Sequence, residues 1–137
     1  MRKIACVILS IIFMLLVHIS VDKPVFIDES DSVTLYLGNN SSICEIISID
    51  NGDYHKYSNI RGESIRLELT NFDLDAFIKK YTAQILFIEQ IEQGVNYYCY
   101  SPKMKYRRLI DGFIINLHVF VGNECVSIGT PMIFGSF

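Results

Sequence analysis

The chain has 137 residues, half of them hydrophobic and a fifth charged, and its formal net charge at pH 7 is −3. This length suits one domain, and the composition is that of a globular protein. All fifteen acidic residues but only ten of the twelve basic ones lie after position 21, so the remainder carries a net charge of −5. Binding to nucleic acid depends on neutralising phosphates, so we expect no nucleic-acid partner.

Residues 1–21 predict a targeting or anchoring segment. A basic start, Arg2 and Lys3, precedes an almost continuous apolar run at 4–21, which is just long enough to span the ~17–25 residues of a transmembrane helix. A cleaved secretory signal is the alternative, although His18 would then occupy a position where a small residue is preferred. A buried helix of the domain itself also stays open. The positive-inside rule places the N-terminus in the cytoplasm and the domain outside.

Residues 22–31 are interpreted as a linker. Pro24 and the acidic residues Asp28, Glu29 and Asp31 argue against regular structure. The acidic residues lack the glycine-centred spacing of a calcium-binding loop. We therefore expect a solvated acidic tether without a metal.

The first part of the domain predicts strands, because apolar and polar residues alternate. The expected strands are Ser32–Gly38, Ile43–Ile49, Tyr54–Tyr57 and Ser64–Leu69. Asn51-Gly52 is typical of a type I′ turn and would join the second strand to the third. The alternation in the fourth strand predicts an antiparallel sheet with one buried and one solvated face.

An amphipathic helix is predicted at Asp73–Ala83. Its four apolar residues share one face because they follow the helical period: Leu74, Phe77, Ile78 and Tyr81. Asp73 is suited to be the N-cap, and Phe72 with Phe77 matches a hydrophobic staple. Because a helix this short is marginal alone, we expect it to pack on the sheet.

The second part of the domain predicts further strands at Ile85–Ile91, Val95–Tyr100, Phe113–Val121 and Cys125–Phe134. The predicted fold class is therefore α+β: one N-terminal transmembrane or signal helix, then an antiparallel sheet packed on one short amphipathic helix. Residues 32–137 would form a single domain.

The loop Lys103–Arg108, called the basic loop below, is the candidate binding site. It contains four cations and one aromatic residue: Lys103, Lys105, Tyr106, Arg107 and Arg108. Four positive charges within six residues of an acidic domain predict contact with an anionic surface, such as lipid headgroups or cell-wall polymer. An ordinary solvated hairpin loop is the alternative.

Catalytic signatures are not found. The sequence has no P-loop, G-x-S-x-G, H-E-x-x-H or C-x-x-C motif, so we predict no catalytic residues, no metal site and no cofactor. The alternative is a small secreted enzyme or ligand carrier that uses His118 and Asn116 on one sheet face. No carboxylate partner for His118 is visible at strand spacing, which favours a structural role.

The cysteines leave two alternatives open. Cys6 lies in the apolar segment, while Cys44, Cys99 and Cys125 lie in predicted strands. Three thiols cannot all pair, so either one bridge forms, with Cys99 to Cys125 favoured, or all three are buried free thiols.

Three short runs in the C-terminal third carry a family resemblance: Tyr97–Pro102, Asp111–Leu117 and Ile128–Gly135. They resemble small exported proteins of clostridia and related Firmicutes, of the YwmB type. This resemblance implies a helix on a curved sheet, similar to half of a TATA-box-binding protein. It implies a fold rather than DNA binding, and no functional residues carry over. The present chain is shorter than that family and would hold one such unit.

These features predict a membrane-anchored extracytoplasmic protein at the cell envelope, with a non-enzymatic binding domain outside and the membrane contacted by residues 4–21. The expected partner is an anionic envelope component or a membrane protein, bound through the basic loop or an exposed sheet face. Secretion after signal cleavage is the alternative localisation.

Overall fold

The computed structural model describes residues 7–12, 23–38, 44–50 and 53–134. Residues 7–12 are helical, and the remainder of the predicted anchor lies outside the described residues. Within the described ranges, no helix has the length and apolar character needed to cross a membrane.

The described strands form one large sheet and one small hairpin. Their bounds are β1 Ser32–Gly38, β2 Cys44–Asp50, β3 Ile60–Glu68, β4 Gln84–Ile91, β5 Gly94–Tyr100, β6 Arg108–Ile110, β7 Phe113–Ile115, β8 Leu117–Gly122 and β9 Cys125–Thr130. Seven strands pair antiparallel in the order β2-β1-β3-β9-β8-β5-β4, and β6 pairs only with β7. The predicted α+β class with an antiparallel sheet is confirmed.

The α-helix spans Leu74–Lys80 and begins as predicted. The Asp73 side chain accepts a hydrogen bond from the Ala76 amide at 3.0 Å, and the rings of Phe72 and Phe77 lie 5.6 Å apart. The helix ends three residues before the predicted Ala83. There Thr82 takes a φ of 52°, and the Ala83 amide turns back to the Ile78 carbonyl at 2.9 Å.

One side of the sheet, called the helix face, packs on this helix. Six of its buried side chains are those that the alternation of the strands predicts: Val33, Leu35, Ile65, Cys99, Leu117 and Val119. Val126 and Ile128 of β9, for which no face was predicted, are buried beside them. Phe77 and Tyr81 of the helix belong to the same apolar cluster. Each large side chain buried there contributes roughly 1.5–3 kcal/mol, which holds the short helix in place.

The segment before β1 is not a solvated tether, and that prediction is wrong. Phe26 is fully buried and Ile27 is nearly so. The Phe26 ring lies 5.9 Å from that of Tyr81 and 6.5 Å from that of Phe77. The Glu29 amide bonds to the Phe26 carbonyl at 2.9 Å, and this turn buries the apolar pair while Asp28 stays exposed. Two apolar residues outweighed the acidic composition around them.

The predicted strand Tyr54–Tyr57 is also wrong. Asp53–Lys56 form a 3-10 helix, and β1 pairs instead with β2 and β3. Tyr54 and Tyr57 pack against the apolar cluster from this short helix. The predicted Asn51-Gly52 turn lies outside the described residues.

The second side of the sheet, called the hairpin face, is only partly solvated. Arg66 and Glu68 of β3 are exposed as predicted, whereas Ser64 on the same face is buried. The buried residues of this face are largely polar or aromatic: Tyr36, Ser64, Asn96, His118, Phe120 and Ser127. Residues 131–134 cross this face, and the Phe134 ring lies 4.9 Å from that of Tyr36. Gly129 makes room, since a Cβ there would lie 2.6 Å from the Met132 carbonyl oxygen.

The predicted single strand Phe113–Val121 is split at Asn116 into β7 and β8. The two halves have different partners, because β7 pairs with β6 while β8 lies between β5 and β9. The last predicted strand, Cys125–Phe134, ends at Thr130 and lies inside the sheet as β9.

Cys99 and Cys125 are both free, so the favoured bridge between them is not formed. β8 separates their strands. Cys99 pairs with Leu117 at the start of β8. Cys125 is next to Val126, which pairs with Val121 near the other end of β8. A disulfide requires Cα atoms within about 7 Å, which this register does not permit.

Candidate functional site

The basic loop is held at its start by a buried polar cluster. The Asn116 side chain accepts from the Ser101 amide and donates to the Ser101 carbonyl, both at 2.6 Å. The Ser101 hydroxyl donates to the Tyr81 carbonyl at 2.6 Å, and the Met104 side chain is buried in the core. The loop therefore starts from a fixed point, next to the C-terminal end of the helix.

The predicted site residues are distributed along the loop, from the helix end to the C-terminal segment. The Lys103 ammonium donates to the Lys80 carbonyl at 2.6 Å. The Lys105 ammonium lies 5.7 Å from the centre of the Tyr106 ring. Arg107 is exposed, and the Arg108 guanidinium lies 5.5 Å from the centre of the Phe134 ring. The loop thus runs from the helix to the C-terminal segment and carries its cations along an outer edge of the domain.

The β6–β7 hairpin that follows the loop has two unlike faces. Leu109 pairs with Ile114, and both are strongly exposed, at 70% and 50%. Ile110 pairs with Phe113, whose ring contacts Phe87 of the large sheet at 5.7 Å. The Leu109–Ile114 pair, called the outer pair below, therefore faces solvent directly beside the basic loop.

Sequence reasoning missed this hairpin because it assigned Phe113 to a long strand. The signal was present at Asp111-Gly112, which lies between two apolar dipeptides and is typical of a type I′ turn. Both residues have positive φ, 49° and 84°. A cleft of about 560 Å³ lies between the first half of this hairpin and the C-terminal segment, and its lining is Arg108, Leu109, Ile110, Asp111, Met132 and Phe134.

His118 and Asn116 do not form the shared site that the alternative function requires. His118 is 2% exposed, and its Nε2 lies 2.9 Å from Oδ1 of Asn96. The Asn96 amide nitrogen donates to Glu89 at 3.1 Å, so Asn96 accepts from His118 and Nε2 carries the proton. Nδ1 then accepts from the Ile133 amide at 3.4 Å. Burial lowers the pKa of His118 to about 4.

Glu63 is a buried carboxyl group that sequence reasoning missed. It lies on the helix face, opposite Leu35, and is 1% exposed. The Phe26 amide donates to its Oε1 at 2.7 Å. Burial raises the pKa of Glu63 to about 7, although hydrogen bonds from the Phe26 and Val25 amides act in the opposite direction. Glu63 therefore holds the buried turn at 23–30 against the sheet.

A second cleft, of about 950 Å³, lies between that turn and the helix. Its lining includes five acidic residues: Asp28, Glu29, Asp31, Glu68 and Asp73. Glu29 is already paired with Lys80, whose ammonium lies 2.6 Å away. Within the described ranges, no group of three or more His, Cys, Asp or Glu side chains is arranged to hold a metal ion.

Comparisons with protein families, with curated proteins and with solved structures find no significant match to this chain. The resemblance to the YwmB family therefore stays a prediction.

Proposed function

We propose that this protein is a membrane-anchored, non-enzymatic binding module on the outer side of the cell membrane, which holds an anionic envelope component through the basic loop. The observation that carries the proposal is the placement of the loop. Its cations lie on an exposed edge of an otherwise acidic domain, directly beside an exposed apolar pair. Exposed cations next to apolar side chains are typical of surfaces that meet anionic polymers or lipids.

The buried titratable groups support a binding role over a catalytic one. His118 and Glu63 are hydrogen-bonded inside the two faces of the sheet. Cys99 is buried on the helix face, where desolvation raises the pKa of its thiol to about 12. These three groups are enclosed by the fold, and a substrate would reach them only after the residues that cover them had moved.

The test compares two charge reversals of equal size in the tagged full-length protein. Arg107→Glu/Arg108→Glu changes the basic loop, and Arg61→Glu/Arg66→Glu changes two exposed arginines on β3. We expect only the first to release the partner in pull-downs and to weaken retention by envelope fractions. Equal retention of the two variants in both assays would overturn the proposal.

The anchor has its own test. Fractionation of the tagged protein with intact mass is expected to give a membrane-bound species that retains residues 1–21. A soluble, shortened species would establish signal cleavage and a secreted domain.

A further inference from the structure

We propose that the outer pair, Leu109 and Ile114, inserts into the surface of an anionic lipid bilayer while Arg107 and Arg108 contact its headgroups. This inference rests on the proposed function and names the partner of the same site. It concerns the bilayer in which the protein itself is anchored.

The hairpin is built to present the outer pair. In an antiparallel pair, neighbouring residues alternate between the two faces. Ile115 is fully buried, and the Phe113 ring, although 45% exposed, lies 5.7 Å from that of Phe87, so this face of the hairpin contacts the domain. Leu109 and Ile114 therefore point to the other face. Two large aliphatic side chains side by side at a protein surface carry a free-energy cost that transfer into lipid removes.

The charges beside the outer pair suit an anionic surface. The segment from Lys103 to Ile114 carries four cations and one carboxylate, Asp111. Arg107 and Arg108 take part in none of the three ion pairs formed within the described ranges. Each Lys or Arg near an anionic leaflet strengthens binding about fivefold.

The segment at 23–30 and the start of the basic loop are attached to the same part of the domain. The Lys103 ammonium bonds to the Lys80 carbonyl at the end of the helix, and the Lys80 ammonium pairs with Glu29, each at 2.6 Å. The segment that follows the predicted anchor and the start of the basic loop are therefore attached to the same helix end. An anchor at residues 4–21 would hold this end towards the membrane.

The size of the hairpin argues against a protein partner. A specific protein interface buries about 800 Å² on each side, from some 20–30 residues. The β6–β7 hairpin offers one apolar pair on two three-residue strands. A bilayer can bind such a small apolar surface because it does not require a complementary shape.

The test uses the absence of Trp from the chain. In full-length protein reconstituted into vesicles, Leu109→Trp places a single indole in the outer pair. Ile88→Trp is the matched control, because Ile88 is an exposed aliphatic residue, 57% exposed, on the edge strand β4. Vesicles are prepared from brominated phosphatidylcholine, with and without phosphatidylglycerol.

We expect the Leu109→Trp emission to shift to the blue and to be quenched in vesicles that contain phosphatidylglycerol, while the Ile88→Trp emission stays that of an indole in water. The fraction of quenched indole gives the equilibrium constant for docking of the hairpin on the bilayer. Adding Arg107→Gln/Arg108→Gln should lower this constant about 25-fold. Adding Ile114→Ser should lower it roughly tenfold.

Equal emission of the two indoles in anionic vesicles would overturn the inference. If Leu109→Trp responds only to a soluble anionic polymer, the proposed function stands and the lipid partner is wrong. If the shift depends on protein density without phosphatidylglycerol, the outer pair binds a second copy instead. If neither lipid nor polymer is bound and the loop charge reversal is silent, both proposals fail.

Discussion

The helix face of the sheet is buried and the hairpin face is buried in part, and different interactions cover them. On the helix face, apolar residues of six strands pack against Phe26, Phe77 and Tyr81. On the hairpin face, the C-terminal segment is held by single polar contacts, such as the Tyr36 hydroxyl between Ser64 and Phe134. This difference indicates that buried apolar area stabilises the helix face. On the hairpin face, the position of the C-terminal segment depends on hydrogen bonds between particular polar groups.

The largest effect is expected from Ile128→Ala, on the central strand β9 and fully buried on the helix face. Truncating a buried Ile costs about 2–5 kcal/mol, because apolar contacts are lost and a cavity remains. Urea denaturation measures the free energy of unfolding. The control is Ile88→Ala on the exposed edge, which should change it by at most ~0.5 kcal/mol. Because Ile88 pairs with Tyr97 on the same face, equal losses would show that burial within the helix face is not the main source of stability.

The two faces are expected to respond to pH with opposite sign. On the helix face, the pKa of Glu63 rises from 4.5 to about 7, so the folded state binds the extra proton. Stability from this group is present below pH 4.5 and is lost as the pH rises through about 7. On the hairpin face, the pKa of His118 falls from 6.5 to about 4. Its contribution is present above pH 6.5 and is lost as the pH falls through about 4.

Two variants separate these contributions, each of which amounts to about 3 kcal/mol over its pH range. With Glu63→Gln, stability between pH 4 and 7 should rise more steeply with pH than in the native protein. With His118→Gln, it should fall with pH in the same range. Urea midpoints from pH 4 to 8 measure both slopes. Parallel curves for the two variants would contradict the assignment.

Gly129→Ala tests the cover of the hairpin face. The new Cβ would lie 2.6 Å from the Met132 carbonyl oxygen and 2.7 Å from the Ile133 amide nitrogen. Overpacking of this kind costs about 1–3 kcal/mol. We expect residues 131–134 to be displaced while the helix face stays folded, so hydrogen exchange of the Ile133 and Phe134 amides should accelerate. Full protection of those amides would mean that the segment is not seated on Gly129.

Asp73→Ala should have the smallest effect, about 1 kcal/mol, because it removes the side-chain cap at the start of the helix. The Ala76 amide then loses its partner at 3.0 Å. Asp73→Asn keeps an acceptor oxygen and should remain close to the native stability in thermal unfolding. An equal loss in both variants would assign the effect to charge rather than to the cap.

Sequence periodicity predicted the helix face and little of the hairpin face. The alternation of Val33 and Leu35, and the helical spacing of Phe77 and Tyr81, specify a buried side without knowledge of the fold. The hairpin face is covered through contacts between residues that are distant in the sequence, such as Tyr36 and Phe134. No periodic pattern in the local sequence predicts such contacts. Phe26 was missed for the same reason, since its partners Phe77 and Glu63 lie far along the chain.

The candidate site was likewise predicted only in part. The cations of the basic loop could be identified from the amino-acid composition of that segment. The outer pair was missed because five alternating apolar residues from Phe113 to Val121 indicate one continuous strand. The break at Asn116 follows from its hydrogen bonds to Ser101, a contact that no local pattern predicts.

If residues 4–21 span the membrane as proposed, the buried turn around Phe26 leaves only a short connection between the span and the domain. Pro24 and Phe26 are already packed in the fold, so under the proposed topology only two residues, at most about 7 Å of chain, separate residue 21 from the packed domain. A domain joined to the membrane by so short a connection cannot move far from the bilayer or bind a distant partner. Its effective concentration at its own bilayer is instead very high, so that even weak contacts from the hairpin would keep it lying on the membrane surface.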